Sequence, residues 1–405
     1  MTLPVIRWKS QTVTPLVVKR GAQWAMAEAT LASVSTTLDL SSNSCKRLQF
    51  PCTFRGMSSA PIGSIARPHA ASSSRLGYCN RLHATLVCRA TSGPPENEET
   101  HVELVVGSFT PSVLLAVARR TGRLEEHGLK VTEVPVPSSP AQFRSLITGE
   151  IDVALTSPDN VVAYRFSPEN PLGVTADARI VSAVDRGMGL GLYGRPGLAP
   201  EQLGGARVGV DVPTSGFALA MYALAESLGV GRDEYELLTL GSTPKRLDAL
   251  LAGECDATML NAGNELVAEA AGAVILARVS DVCSPYLGTV VSVVGERILE
   301  PARRFSDALR ETARDICHGT AESAAEEEAA SVLGLAGDLA RRYVARLHSS
   351  SEGLVLDPAV DLAALTTVVD LRRRYLPTFR DGRDVLAGAL APESGLMSYL
   401  SSEAC

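Results

Sequence analysis

The feature that most constrains this chain is a phrase it carries twice. Leu146-Ile147-Thr148-Gly149-Glu150-Ile151-Asp152-Val153-Ala154-Leu155 lines up with Leu250-Leu251-Ala252-Gly253-Glu254-Cys255-Asp256-Ala257-Thr258-Met259, a shift of 104 residues. Taken alone, Gly-Glu-x-Asp has a local rationale, because the glycine ends a helix in the left-handed conformation and the acids open a strand. A second match weakens that explanation: Val106-Gly107 and Pro111-Ser112 line up, within a residue or two, with Val208-Gly209 and Pro213-Thr214. Two matches in the same order at nearly the same spacing predict one strand–helix series built twice, and hence two homologous α/β lobes rather than one continuous sheet.

The series itself is readable. Glu103 to Gly107 is a short apolar run ended by turn chemistry, and Thr110-Pro111 predicts the cap and first position of a helix through VLLAVARRTGRLEEHGL. LKVTEVPV reads as a strand, SPAQFRSLITG as a helix and IDVALTS as a strand, after which Ser157-Pro158-Asp159-Asn160 opens another helix. This alternation predicts an α/β fold with mostly parallel strands. Beyond the second lobe, Tyr286 to Ile298 is a β-type run, and the remainder is amphipathic helix. Its Leu, Val and Ala stripes read as core, and these helices are expected to pack on one of the lobes.

Composition separates the N-terminus from this body. A 405-residue chain with 45% hydrophobic and 20% charged residues can bury the cores of two or three domains, which excludes a disordered or fibrous body. No window approaches the roughly 18 to 20 apolar residues of a membrane span. Residues 1–95 carry eleven Lys or Arg against two acids, Glu28 and Asp39, in a chain whose net charge is −7. A basic, Ser-rich, acid-poor leader has the composition of an organelle transit peptide, and a mis-started extension would look the same. A mitochondrial or other organelle location follows if the leader is a transit peptide, a cytoplasmic one otherwise, and a periplasmic one only if the leader is spurious. Residues 1–100 are thus expected to be a disordered leader and linker, 101–185 plus 287–405 lobe one with a helical tail, and 186–286 lobe two. The acidic body lacks a basic stripe, which argues against nucleic acid as a partner. The eight cysteines show no CxxC spacing, so neither a metal site nor a disulfide framework is expected.

The order of a strand ending in glycine, a Pro-led helix, GRLEEHGLKV and SLITGEIDVALTSPDN, then LGGARVGVDVPTSGFA and LLAGECDATML, resembles the periplasmic-binding-protein type II fold. Within that fold it is most similar to the sulfonate, nitrate and taurine type substrate-binding proteins of ABC transporters and to the related pyrimidine synthase of thiamin biosynthesis. The resemblance covers about residues 103 to 300 and, more loosely, the tail. It implies a cleft between two lobes, crossings near Ala183 to Gly189 and Ser284 to Gly288, and a tail returning to lobe one. It also implies a small-molecule ligand and, for a solute-binding protein, a membrane permease as partner. The alternative is an enzyme like the synthase, which holds pyridoxal phosphate on a lysine, uses its own histidine as substrate and carries a dense cysteine run. Only Lys130 and Lys245 remain in this body, and its cysteines are isolated. A binding protein without a cofactor is therefore preferred to an enzyme.

Ligands of open α/β sheets bind outside the carboxyl ends of the strands, where helix N-termini gather. In this chain those edges are Ser108, Phe109 and Thr110; Ser157, Asp159 and Asn160; Thr214, Ser215, Gly216 and Phe217; and Asn261 followed by Asn264. Free N–H groups and short hydroxyls there suit a polar or anionic small molecule, although each such residue also serves as a helix cap. Gly216 beside two hydroxyls is expected to let a ligand approach the backbone closely. Arg186 is the cation near a crossing, able to hold an anion or to pair with Asp185, while Lys245 follows Thr243-Pro244 at a helix start. Phe109, Tyr193, Phe217 and Tyr286 are candidate cleft walls, and no histidine lies next to a predicted strand end.

Overall fold

A computed structural model describes residues 18–20, 23–25, 101–357 and 359–398. In the leader, β1 (Val18–Arg20) pairs antiparallel with β2 (Gln23–Ala25). The expectation of a disordered leader otherwise lies outside the described residues.

The body contains two five-stranded sheets. The first holds β3 (Val102–Ser108), β4 (Leu129–Pro135), β5 (Val153–Thr156) and β6 (Ala178–Asp185). The second holds β7 (Gly191–Gly194), β8 (Arg207–Val210), β9 (Glu236–Thr239), β10 (Ala257–Leu260) and β11 (Val274–Arg278). The chain then returns as β12 (Thr289–Val294), which inserts antiparallel between β5 and β6. The resulting orders, β4-β3-β5-β12-β6 and β9-β8-β10-β7-β11, match position for position. In each sheet the single reversed strand is the one that arrives from the other lobe, β12 in the first and β7 in the second. The duplicated phrase is the sequence trace of this duplicated sheet. VALT of β5 and ATML of β10 are buried throughout, as the middle strands of a sheet covered on both faces must be.

Helices α1 (Val113–Arg120), α2 (Arg123–Glu126), α3 (Ser139–Thr148) and α4 (Pro158–Phe166) accompany the first sheet. The second is accompanied by α5 (Gly216–Ser227), α6 (Thr243–Leu251), α7 (Asn264–Ala270) and α8 (Val279–Val282). Gly149 and Gly253, equivalent in the repeat, both end helices at positive φ, 78° and 71°. One expected start is displaced. Ser112, not Thr110, caps α1, its Oγ accepting from the Leu115 N–H at 3.2 Å. The Glu133 carboxylate accepts the Ser112 N–H at 2.9 Å and so fixes that cap, which leaves Thr110 outside the helix and facing the cleft.

The tail comprises α9 (Leu299–Cys317), α10 (Glu322–Leu333), α11 (Asp338–Leu347) and α12 (Leu362–Tyr375). Phe305 and Leu309 of α9 share a core with Leu104 and Leu115 of lobe one. The tail is not confined to one lobe as its stripes suggested. On α12, Leu365 and Val369 pack with Phe143 and Tyr164 of lobe one, while Val368, Leu371 and Tyr375 pack with Tyr222 and its neighbours on α5. A helix with two apolar faces can serve two cores at once, and α12 does so. Among the described residues no helix is long and apolar enough to cross a membrane.

Candidate functional site

A cavity of about 120 Å³ lies where the carboxyl ends of β3 and β5 meet those of β8 and β10. Lobe one contributes Ser108, Phe109, Thr110, Ser157 and Asn160, and lobe two contributes Ser215, Gly216, Phe217 and Asn261. The three remaining strand-end residues singled out by sequence, Asp159, Thr214 and Asn264, do not line it. The Asp159 carboxylate is turned to α12, where it takes two 2.7 Å hydrogen bonds from the Arg372 guanidinium. The Thr214 carbonyl accepts a third from the same guanidinium at 3.0 Å.

Several lining groups are already committed. Ser108 Oγ donates to Glu133, and Asn160 Nδ2 donates to Thr156 Oγ1 at 3.1 Å. Asn261 Nδ2 reaches the Gly187 carbonyl at 3.2 Å, and Thr110 Oγ1 accepts from Asn264 Nδ2 at 3.3 Å. Ser215 Oγ is different, being buried without a hydrogen-bond partner. Gly216, which lines the cavity, is also required by packing between the lobes. A Cβ there would stand 2.6 Å from both Asp159 Cβ and Ser157 Oγ, so the missing side chain lets lobe one close on the start of α5.

Sequence reasoning missed the charged groups of the cavity. Arg246 is 1% exposed and lines it. Its Nε donates to the Met259 carbonyl at 3.1 Å, its Nη1 to the Gly241 carbonyl and its Nη2 to Thr243 Oγ1 at 3.0 Å, and no carboxylate among the described residues is in ion-pair contact with it. Burial pushes its pKa down to about 10, so it is still cationic at neutral pH. Asp211, 7% exposed, accepts the Ser139 N–H at 3.1 Å through Oδ2, a bond between lobes, whereas its Oδ1 has no partner. Asp185 is pushed up to about 6 by burial, against the hydrogen bonds it takes from Thr289 and from the Gly187 N–H. Tyr343 and Leu347 of α11, with Leu354 beyond it, supply an apolar wall from the tail.

Two signals for these residues were present in the sequence. Asp211 immediately follows β8, at the strand end where ligands gather. Arg246 lies three residues after Thr243, on the same helix face, whereas Lys245 is turned about 100° away and is exposed. Of the other residues considered, Arg186 donates to the Leu354 carbonyl at 3.3 Å and does not line the cavity. Phe109 and Phe217 do line it, while Tyr193 and Tyr286 are buried in cores of lobe two. Among the described residues no lysine lines the cavity, and Lys130 is paired with Glu103 at the surface, so the residues present do not fit a lysine-bound pyridoxal phosphate. What the arrangement offers is one buried guanidinium, two buried carboxylates and free hydroxyls around a partly open cavity, which is the equipment for holding a small polar molecule.

No protein-family model matches the chain, and no curated protein matches it in sequence. Solved structures do. The alkanesulfonate-binding protein of Xanthomonas axonopodis pv. citri, bound to MOPS, superposes with a TM-score of 0.55 at 19% identity, over 71% of this chain and 97% of that one. The ligand-binding component of an ABC-type import system from Staphylococcus aureus, with zinc bound, gives 0.55 at 14% identity, over 67% and 91%. A Candida albicans protein described as defining a new family with the generic periplasmic-binding-protein fold gives 0.56 at 16% identity, over 73% and 96%. With two sheets of matching strand order around one cleft, and with neighbours covered almost end to end, this chain has the periplasmic-binding-protein fold.

Proposed function

We propose that the chain reversibly binds a small polar solute in the cavity between its lobes, an acceptor or anionic group of the solute meeting Arg246 and a hydrogen-donating group meeting Asp211. The observation that carries this reading is a buried cation and a buried carboxylate with one unmet oxygen in one small space. The Arg246 guanidinium is held by the Met259 and Gly241 carbonyls and by Thr243 Oγ1 with no carboxylate in ion-pair contact, and Asp211 Oδ1 is a buried acceptor without a donor, among the described residues. A buried charge or polar atom left unpaired costs free energy that a bound partner removes, so both groups favour occupancy by a complementary molecule. A water occupies roughly 10 to 15 Å³ of such a space, so 120 Å³ admits a compact organic molecule or several waters. Delivery of the solute to a membrane permease is the partner role that the Staphylococcus aureus neighbour, as part of an import system, suggests.

The test is native mass spectrometry of the purified full chain, followed by identification of whatever small molecule it releases. That molecule should rebind at one site per chain in calorimetry, and Asp211→Asn and Arg246→Gln should each weaken it at least tenfold while the protein remains folded. A chain that never carries or rebinds a small molecule, or one whose ligand is insensitive to both changes, rules the proposal out. Steady conversion of the molecule to a product would replace binding by catalysis.

A further inference from the structure

The tail grips the second lobe at three separate places, and the first of these is the crossover between lobes. The segment from Asp185 to Leu190 carries the chain out of lobe one, and Glu352 to Val355, just past α11, lies along it. The Arg186 N–H donates to the Gly353 carbonyl at 3.0 Å, the Met188 N–H to the Glu352 carbonyl at 2.8 Å, and the Val355 N–H to the Val184 carbonyl at 2.9 Å. A crossover hydrogen-bonded in this way to a second segment cannot bend unless that segment moves with it or lets go.

The second grip is between α11 and α7. Arg346 Nη1 holds the wholly buried Glu265 carboxylate at 2.8 Å, and one turn earlier Arg342 pairs with Glu269, one turn further along α7. Two arginines four apart on the tail thus meet two glutamates four apart on lobe two, the spacing at which helix faces can run side by side. Leu266, between those glutamates, is buried in the same core as Tyr343 and Leu335 of the tail. The Arg346 guanidinium also lies over Gly189 in the crossover, where it leaves no room for a Cβ. The third grip is α12. Arg372 ties Asp159 of lobe one to the Thr214 carbonyl of lobe two, and Tyr375 Oη donates to Glu226 of α5 at 2.8 Å beside the Arg374–Glu226 pair.

We infer that the helical tail is a brace that sets how often the lobes open, so that widening of the cleft requires the tail to loosen its hold on lobe two. The α7 and α12 grips hold different helices of lobe two, so each adds to the cost of widening the cleft and loosening either lowers it. The inference concerns opening and holds whatever molecule the cavity takes.

Hydrogen exchange on the full chain, resolved to peptides, tests it without a ligand. Arg342→Glu sets like charges across the α7 grip at an exposed position, Arg342→Lys keeps the pairing, and Glu226→Ala loosens the α12 grip. Exchange at Arg186 and Met188 should quicken roughly tenfold in Arg342→Glu, the response to a weakened local closure, and stay within about twofold of the parent in Arg342→Lys. Combining Arg342→Glu with Glu226→Ala should quicken it further than either change alone, while amides of β3 and β8 keep their rates. Unchanged exchange at the crossover in the combined variant overturns the brace. Equal acceleration in the two sheets also overturns it, since the tail would then only add global stability.

Discussion

Arg372→Met isolates the strongest polar contact between the tail and the cleft. In the folded protein the guanidinium makes two 2.7 Å hydrogen bonds to Asp159, and the two side chains are 5% and 1% exposed. Methionine keeps much of the apolar stem that Arg372 buries and removes the charge. Asp159 is then a buried carboxylate with no cation, and breaking one side of such a pair costs about 3 to 5 kcal/mol. The Thr214 carbonyl loses its donor as well, which adds about 1 kcal/mol. Out of a total stability of roughly 5 to 15 kcal/mol, the single change should move the urea midpoint far down while leaving a folded protein or very nearly abolishing one. Replacing both partners, Asp159→Leu with Arg372→Met, removes the stranded charge and should recover most of the loss, because an apolar pair of similar volume is about as stable as a buried ion pair. Equilibrium urea unfolding of the parent, both singles and the double gives the coupling energy directly. A loss below about 1 kcal/mol in Arg372→Met, or a double variant no better than the worse single, would refute the reasoning.

Three further outcomes follow from the cavity. Ser215 Oγ has no partner among the described residues, so Ser215→Ala should leave the melting temperature within about 1 °C of the parent while weakening the released ligand several-fold, the worth of about one hydrogen bond; a large thermal shift with unchanged affinity in calorimetry would reverse that assignment. Gly216→Ala should do the opposite, lowering thermal stability because its Cβ meets Asp159 and Ser157 at 2.6 Å, and an unshifted melt would show that the lobes do not close there as described. Asp185, raised to about 6 by burial, binds its proton more tightly folded than unfolded, so its contribution is fully present below the ordinary aspartate value near 3.9 and lost as pH rises to about 6. That loss is of the order of 3 kcal/mol, and melts between pH 4 and 7 should show a shallower fall in Asp185→Asn than in the parent; equal slopes would mean Asp185 is not the group responsible.

The fold was written where chain geometry is local and repeated. Gly149 and Gly253 punctuate the same helix-to-strand turn in both lobes, and the phrase around them was sufficient to predict two sheets. What local reading could not reach was anything decided by a distant partner. Thr110-Pro111 has the composition of a helix start, yet Glu133 on the neighbouring strand moved the cap to Ser112. Asp159 reads as a first-turn acid open to a ligand, and only the return of α12 some 210 residues later turns it to Arg372. Lys245 and Arg246 differ in sequence by one place and in the fold by which side of α6 they occupy, a distinction that needs the helix phase fixed from Thr243. The tail stripes looked like ordinary core, and nothing in their periodicity distinguished one lobe from two.

The most direct test of the central claim is a crystal structure of the full chain grown with the molecule that it releases in native mass spectrometry. The account predicts that molecule between the lobes, within hydrogen-bond distance of Arg246 and Asp211 Oδ1 and touching Ser215. A molecule seated elsewhere, or a cleft holding only water at saturating ligand, would contradict it.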